Sequence, residues 1–478
     1  MSNQSLDHDS PACRLRAIAL GLTALVGLAA LNVPAAVLAE PFVFVSLPDT
    51  QRYAEDLRPP DPLALDPQGT YRYFVDQTRW IRAHADERRI RCVIHLGDVV
   101  QTSTDVAQWE RSKAAMDVLH EAGIPYGVCI GNHDLGKDRE RVFDTFLAYF
   151  GPARFAGRPW FGGASPEGTS TFLVLEHEGY QFLFLNLCYS TPEDDVRWAD
   201  EVLAQHRDKI VIISTHGYLW DSVTAAGRYG ERVDFPTLAT HANLNRGNRV
   251  AGSMNSQAFY ESFVQRHPNI LMVQCGHSGF DWYRTDGTNG AGLPVIEALT
   301  NYQTLPNGGE GYLRIYEIDP RRGTLSAVTY SPTKDRYRTH FEHFVQLIAT
   351  GFQIDEKLEK RSVDPALFRR LFVSTMRRSV DPMRDVVGEH PDYAARREYY
   401  RQLFHEAFLG PVPSEAGVPE DWESMWAEAF AADPDRLDDY GPNGRSPSWT
   451  VRVELDRYVG RRAAAEAEAA EPLKAAAQ

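Results

Sequence analysis

RCVIHLGD (residues 91–98) and YGVCIGNHD (residues 126–134) decide the fold class of this chain of 478 residues. Each stretch begins with a short apolar run and ends in glycine and polar residues, which is typical of a buried β-strand followed by a turn. Between them, from about residue 106 to 121, the spacing of apolar residues indicates a helix. Strand, helix and strand in this order predict a crossover unit in a largely parallel sheet.

Three further stretches repeat the pattern of an apolar run that ends in polar residues. They are FVFVSLPDTQ (42–51), IVIISTHG (210–217) and ILMVQCGHSG (270–279). A helix is predicted before residues 91–98, with one face formed by Phe74, Thr78, Ile81 and Ala85. Two hairpins are also predicted, one over residues 171–187 and one over residues 312–331, because each contains two strand-like runs around a turn.

The polar residues at the ends of the five apolar runs are the candidate functional groups. They are Asp49 and Gln51, Asp98, Asn132 with His133 and Asp134, His216, and His277. Because ligands bind outside the carboxyl ends of strands in open α/β sheets, we expect these side chains to converge at one edge. Each group alone is also compatible with an ordinary turn. Their placement at successive strand ends favours a site for divalent cations, which prefer oxygen and imidazole ligands.

The motif series Asp49, Gly97-Asp98, Gly131-Asn132-His133-Asp134, His216 and Gly276-His277 resembles that of the calcineurin-like metallophosphoesterase superfamily. The resemblance covers roughly residues 42–335. PDTQ (48–51), together with NYQ (301–303) and GGEGYLR (308–314), also resembles an exported bacterial subgroup of that superfamily. The resemblance implies an α/β fold of two packed mixed β-sheets flanked by helices, with two metal ions at the strand ends.

The resemblance also implies a role for each residue at the strand ends. Asp98 would bridge both metal ions. The second ion would be completed by Asn132, His216 and His277. His133 would face the substrate phosphoryl group and protonate the leaving oxygen, with Asp134 orienting its ring. The implied reaction is hydrolysis of a phosphomonoester or phosphodiester by attack of a metal-bound hydroxide.

Two positions depart from the usual pattern of the superfamily, and both concern the first metal ion. Gln51 and Gly279 stand where histidines are usual. The first ion keeps Asp49 and the shared Asp98, while Gln51 is either a ligand through its amide oxygen or a structural amide. An oxygen-rich shell suits Mg²⁺ or Mn²⁺. We therefore expect a weaker first site for Mg or Mn, and a second site for Mn, Fe or Zn.

Several residues close to the motifs have weaker functional claims. His95 lies inside a strand, so we interpret it as a packed core histidine. Tyr218 and Trp220 are interpreted as ordinary packing residues, although an aromatic leaving group could stack on them. The residues that could line a substrate pocket after a strand are Asn301, Tyr302 and Gln303.

The remaining segments set the predicted domain organisation. Residues 1–39 are predicted to be a signal peptide, because Arg14 and Arg16 precede an apolar stretch that ends in VLAE, with cleavage after Ala39. A membrane anchor is the alternative. The other predicted units are a metallophosphoesterase domain (40–335), a mainly helical C-terminal region (336–460) and a low-complexity tail (461–478).

The charge of the chain narrows the class of substrate. A formal net charge of -15 argues against a nucleic-acid-binding surface, but it is compatible with a small phosphoester held by metal ions. We expect a periplasmic or secreted, metal-dependent phosphoesterase with no stable membrane span after signal cleavage. One alternative is a catalytically weak metal- or phosphate-binding protein of the same fold. Another is a scaffold whose C-terminal helical region carries an interaction role.

Overall fold

Two mixed β-sheets form the framework of the chain in the computed structural model, which describes residues 40–61, 64–136, 143–220, 240–241, 254–279, 281–338, 444–445 and 448–460. In chain order the strands are β1 (Phe42–Leu47), β2 (Ile90–His95), β3 (Tyr126–Val128), β4 (Phe161–Ala164), β5 (Thr171–His177), β6 (Tyr180–Asn186), β7 (Ile210–Thr215), β8 (Leu219–Trp220), β9 (Thr240–His241), β10 (Ile270–Cys275), β11 (Trp282–Thr288), β12 (Pro294–Leu299), β13 (Leu313–Asp319), β14 (Thr324–Ser331), β15 (Arg336–Tyr337), β16 (Gly444–Arg445) and β17 (Ser448–Arg452). The helices are α1 (Gln51–Glu55), α2 (Tyr71–His84), α3 (Val106–Glu121), α4 (Asp144–Phe150), α5 (Glu193–Gln205), α6 (Ser256–Phe259), α7 (Pro306–Gly309) and α8 (Leu455–Tyr458), with short 3₁₀ and π turns at Pro152–Phe155 and Tyr260–Val264.

The strand order divides the five predicted apolar runs between the two sheets. The first sheet has the order β15-β14-β13-β1-β2-β3, with β17 also paired to β14, and β1, β2 and β3 run parallel. The second sheet has the order β16-β11-β12-β10-β7-β6-β5-β4, and β6, β7, β10 and β12 run parallel. The predicted fold of two mixed sheets is confirmed. Three of the five runs lie in the first sheet and two in the second.

The two sheets pack face to face through an aromatic core. The ring centroids of Phe42 and Phe182 are 4.3 Å apart, and those of Phe44 and Phe184 are 5.3 Å apart, so β1 of one sheet lies against β6 of the other. Burying each such side chain contributes about 1.5–3 kcal/mol. Helices α2 and α3 add buried residues to the same core, whereas α5 and α6 contribute to a separate cluster with β6 and β7. The result is a layered α/β fold.

The predicted helices and hairpins agree with the structure. Helix α2 buries Phe74, Thr78 and Ile81 on one face, as the spacing indicates. Helix α3 begins after Asp105, whose side chain accepts a hydrogen bond from the backbone N–H of Ala107 at 2.9 Å and so caps the helix. The strands β5 and β6 form the first predicted hairpin, and β13 and β14 form the second.

The described residues near the end of the chain form two short strands and the helix α8, and the expectation of a mainly helical region over residues 336–460 stays a prediction. Residues 448–452 form strand β17, which extends the first sheet along residues 324–328 of β14. Residues 444–445 form β16, which pairs with residues 282–283 of β11 in the second sheet. These short runs carry too little periodicity to be predicted as strands. The rest of the region 339–443 and the tail 461–478 lie outside the described residues.

Two expectations about processing can be compared with the structure only in part. The predicted signal peptide, residues 1–39, lies outside the described residues. None of the helices in the described ranges has the length and apolarity needed to cross a bilayer.

Four cysteines are buried as reduced thiols: Cys92, Cys129, Cys188 and Cys275. Buried free cysteines of this kind act as small core residues.

Candidate metal centre

The carboxyl ends of strands from both sheets meet at one place and carry the predicted ligands there. The ligands follow β1, β2, β3, β7 and β10 within a few residues and are Asp49, Asp98, Asn132, His216 and His277. Four of the five are buried, and His277 is partly buried. One ligand atom from each of Asp98, His216 and His277 lies within 4.8 Å of the other two. The predicted convergence is therefore present.

The imidazole of His216 forms the centre of this group. Its Nδ1 is 2.8 Å from the carbonyl oxygen of Leu96, and because a carbonyl only accepts, Nδ1 carries the proton. In the neutral ring, Nε2 then carries a lone pair. This atom lies 3.1 Å from Asp98 Oδ2, 3.1 Å from Asn132 Oδ1 and 3.1 Å from His277 Nδ1. Four potential metal-ligand atoms, counting Nε2 itself, thus lie close together.

The electrostatics of the group indicate a need for positive charge. Burial lowers the pKa of His216, but the carboxylates of Asp98 and Asp49 outweigh this effect and raise its pKa to about 9. Burial raises the pKa of Asp49 to about 8; His216 opposes this shift and Asp98 reinforces it. Both shifts show that the buried acidic groups favour a positive charge beside them. A divalent cation would supply that charge.

The residues expected at the first metal ion lie beside this group. Asp49 Oδ2 accepts a hydrogen bond from the backbone N–H of His277 at 3.1 Å, and its Oδ1 lies 4.0 Å from His216 Nε2. Gln51, at the start of α1, is buried and donates through Nε2 to Gln303 Oε1 at 2.6 Å. Its Oε1 is buried and has no hydrogen-bond partner among the described residues. A buried acceptor of this kind is costly unless a ligand satisfies it. The donor set therefore fits a cation beside Asp49 and Gln51.

The backbone at the ligands explains the glycines of the motifs. Asp49, Asp98 and His277 have φ angles of 24°, 53° and 74°, in the left-handed region that side chains rarely adopt and that often marks functional sites. A Cβ on Gly131 would overlap the backbone nitrogen of Asp98, and a Cβ on Gly276 would crowd the carboxylate of Asp49. These two glycines are therefore required for the close approach of neighbouring strand ends.

Asp134 does not orient the ring of His133, so this prediction was wrong. The Asp134 carboxylate accepts three backbone N–H groups, those of Val99 at 2.8 Å, Val100 at 3.1 Å and Gly131 at 2.8 Å. It fixes the turns that follow β2 and β3. The predicted pairing fails because neighbours in sequence can direct their side chains to different parts of a turn.

The ring of His133 is held by a different group. His133 Nδ1 lies 2.8 Å from the carbonyl oxygen of Gln101, and it must donate to that oxygen. The backbone N–H of His133 donates to Asp98 Oδ1 at 2.8 Å. This arrangement fixes the ring through its Nδ1 and leaves Nε2 as the nitrogen that can serve a substrate. His133 is half-buried, in keeping with a place at the rim of the centre.

Among the residues with weaker functional claims, His95, Tyr218 and Tyr302 are packing residues, and Gln303 contacts the centre. His95 is buried, its Nε2 is 2.8 Å from Thr50 Oγ1 and its Nδ1 accepts from Gly97, so it is the packed histidine that was predicted. Tyr218 is buried and donates to Glu297, and Tyr302 is buried and donates to Asp281 at 2.5 Å, so both are packing residues. Asn301 is also buried. The side chain of Trp220 lies outside the described residues.

Gln303, which the sequence assigned only to a pocket wall, directly contacts Gln51 and Asp49.

Comparisons with known proteins agree with the predicted family. Residues 49–279 match the family model described as calcineurin-like phosphoesterase. Over 302 residues, or 62% of this chain, the sequence is 31% identical to Uncharacterized protein YvnB of Bacillus subtilis (strain 168), and the match spans only 20% of that protein's length. The family match contains every residue of the centre except Gln303.

Similar solved structures include two phosphatases. Purple acid phosphatase PPD1 from yellow lupin (Lupinus luteus) seeds is 11% identical with a TM-score of 0.39, over 63% of this chain and 53% of that one. A dimetal phosphatase from Danio rerio is 14% identical with a TM-score of 0.38, over 61% of this chain and 96% of that one.

Proposed function

Residues 49–279 belong to the calcineurin-like phosphoesterase family, and from this premise we propose that the chain is an exported, metal-dependent phosphoesterase acting on a small phosphomonoester or phosphodiester. The observation that carries the proposal is the cluster around His216 Nε2, where three other donor atoms lie 3.1 Å away. The atoms of this cluster are a carboxylate oxygen, an amide oxygen and two imidazole nitrogens, which are ligand types that a divalent cation accepts.

The residues present fit two divalent cations. Asp98, Asn132, His216 and His277 would hold the second ion, while Asp49, Asp98 and Gln51 would hold the first. When bound, such ions supply an activated water and neutralise phosphoryl oxygens. The carbonyl of Leu96 keeps the His216 Nδ1–H in place, so that its Nε2 remains available as a ligand.

His133 would serve the phosphoryl group of the substrate. Its ring is fixed by the Gln101 carbonyl, so a proton on Nε2 can be directed to a phosphoryl or leaving oxygen without a search among rotamers. The His133–Asp134 pair does not distinguish an enzyme from a binding protein, because Asp134 accepts from backbone N–H groups. The fixed orientation of His133 next to the Asp98 carboxylate supports the enzyme.

The net charge of the chain favours a small substrate. The chain has a formal net charge of -15, so a polyanion would be repelled except at the cations, and a small phosphoester is favoured. Export is supported by the sequence of residues 1–39 alone, and N-terminal sequencing of the mature protein tests it. A mature protein that begins at Met1 and stays in the cytoplasm would contradict export.

The experiment that tests the function is an assay of phosphomonoesters, phosphodiesters and nucleotides with added Mn²⁺, Mg²⁺ or Zn²⁺. We expect turnover of at least one class, and we expect it to be lost in His216→Ala and after chelation. A conservative control is Tyr283→Phe, which lies on β11 outside the centre. If the wild-type chain binds metal but hydrolyses none of these compounds, the alternative of a catalytically weak metal- or phosphate-binding protein is supported.

A further inference from the structure

The side-chain amide of Gln303 has only one workable orientation. Its Nε2 lies 3.1 Å from the backbone carbonyl oxygen of His277 and 3.3 Å from Asp49 Oδ1. The His277 carbonyl can only accept, so the nitrogen end of the Gln303 amide must face it, and its oxygen end must face away. A backbone carbonyl cannot change this role, and it therefore fixes the polarity of the amide.

The orientation of the Gln303 amide determines the orientation of the Gln51 amide. Gln303 Oε1 is 2.6 Å from the amide of Gln51, and because an oxygen there can only accept, Gln51 must present its Nε2. The Gln51 oxygen is then the end of its amide that Gln303 does not satisfy. That atom is the buried Oε1 without a hydrogen-bond partner among the described residues. The chain of amides therefore leaves an oxygen, not an N–H group, available for a cation.

We propose that Gln303 is a positioning residue that presents the Gln51 carbonyl oxygen to the first metal ion. This inference rests on the proposed metal-dependent function. Gln51 and Gly279 stand where histidines are usual, so the first site has no imidazole ligand. The hydrogen-bonded amides of Gln303 and Gln51 supply an oxygen ligand to that site instead. Donation by Gln51 Nε2 also polarises its amide, which makes the oxygen a better ligand. Gln303 acts on the ion through the Gln51 amide, and its own contact with Asp49 Oδ1 at 3.3 Å helps to fix the orientation of the Gln303 amide.

Both glutamines are held by their surroundings. The backbone N–H of Gln303 donates to Asn301 Oδ1 at 3.0 Å, which fixes the turn after β12. On the other side, a Cβ on Gly308 would overlap Arg52, so the segment after Gln303 packs directly against α1. The NYQ and GGEGYLR motifs therefore meet the PDTQ motif in space. Within these motifs, Gln303 is the residue that bonds the Gln51 amide.

Mn²⁺ titration of the metal-stripped chain tests the proposal, with calorimetry giving the number of ions and their dissociation constants. We expect the wild type to bind two ions with unequal constants. Gln303→Met keeps the side-chain length but removes the amide, and we expect it to weaken the weaker constant about 10–100-fold while leaving the tighter one unchanged. Gln51→Met should have a similar effect. Because Gln303 acts through Gln51, the double variant should be little worse than Gln51→Met alone.

The matched control is Gln77→Met. Gln77 is also a buried glutamine that donates Nε2 to backbone carbonyls, those of Gly311 and Tyr312, but it lies away from the centre. It should lose stability as Gln303→Met does, without any change in Mn²⁺ binding. An unchanged weaker constant in Gln303→Met, or additive losses in the double variant, would overturn the positioning role and leave the proposed function standing. A wild type that binds only one Mn²⁺ would also overturn it, whereas no binding at all would overturn the proposed function.

Discussion

Asp98 holds His133 by its backbone: the N–H of His133 donates to Asp98 Oδ1 at 2.8 Å, while Oδ2 of the same carboxylate lies 3.1 Å from His216 Nε2. One carboxylate therefore connects the proposed metal centre to the residue proposed to serve the substrate. Since the contact uses the backbone of His133, it survives changes to the His133 side chain. The two functions can thus be separated by mutation.

His133→Ala should lower turnover by about 10²–10⁴-fold, the usual contribution of a general acid or base. Bound metal should stay close to the wild-type amount, because the backbone N–H to Asp98 is kept. His216→Ala should lose metal and activity together. Steady-state kinetics and elemental analysis of both variants provide the comparison. Equal loss of metal in the two variants would refute the assignment.

Exhaustive dialysis should leave one tightly held ion for each chain and remove the other. The proposed second site would have two imidazoles, an amide oxygen and a carboxylate, whereas the proposed first site would have two carboxylates and the oxygen of Gln51. Activity of the dialysed protein should rise with added Mn²⁺ or Mg²⁺. Elemental analysis before and after dialysis decides the matter. Two retained ions, with activity indifferent to added cation, would contradict unequal sites.

Asp134→Asn should destabilise the fold by about 1.5–3 kcal/mol, because the carboxylate accepts three backbone N–H groups and an amide cannot replace both of its oxygens. Urea unfolding with chelator present measures this loss, and Asp86→Asn at an exposed position is the control. In the folded fraction, turnover should fall far less than in His133→Ala. Loss of turnover with unchanged stability would restore the role predicted from sequence.

His95 should make the fold sensitive to acid. Burial lowers the pKa of His95 to about 3, from an ordinary value of 6.5. Below pH 6.5 the unfolded chain therefore binds a proton at His95, whereas the folded chain does not. The contribution of His95 to the free energy of unfolding is complete above pH 6.5 and is lost as the pH falls towards 3. The loss is up to about 1.4 kcal/mol for each pH unit.

Unfolding of the metal-free wild type and His95→Gln at pH 7, 6 and 5 checks this expectation, with His84→Gln at a half-buried surface position as the control. The stability difference between wild type and His95→Gln should shrink with acid. Parallel pH curves for the two proteins would show that His95 does not titrate between the folded and unfolded states.

The strand ends and the ligands they carry could be predicted from sequence, because a buried strand followed by glycine and a polar residue is a local pattern. Asp49, Asp98, Asn132, His216 and His277 all appear where that pattern places them. The role of Asp134 could not be predicted, since it depends on backbone N–H groups contributed by the turn after another strand. The contact between Gln51 and Gln303 joins residues 252 positions apart, and no local pattern reports it.

The division of the apolar runs between two sheets was also invisible to local reasoning. β3 and β7 have the same kind of sequence, yet one belongs to the first sheet and the other to the second. The difference arises because β3 pairs with β2 in the first sheet, whereas β7 pairs with β6 and β10 in the second. Such pairings are decided by long-range packing and not by the run itself.

Strands β16 and β17 belong to two different sheets. They follow β15 by a long stretch of chain, and yet they pair with β11 in one sheet and β14 in the other. A protein cut between Tyr337 and Gly444 would lose both strands, so residues 282–283 and 324–328 would lose the partners described here. Sheet edges of this kind pair with other chains, so such a cleavage favours aggregation.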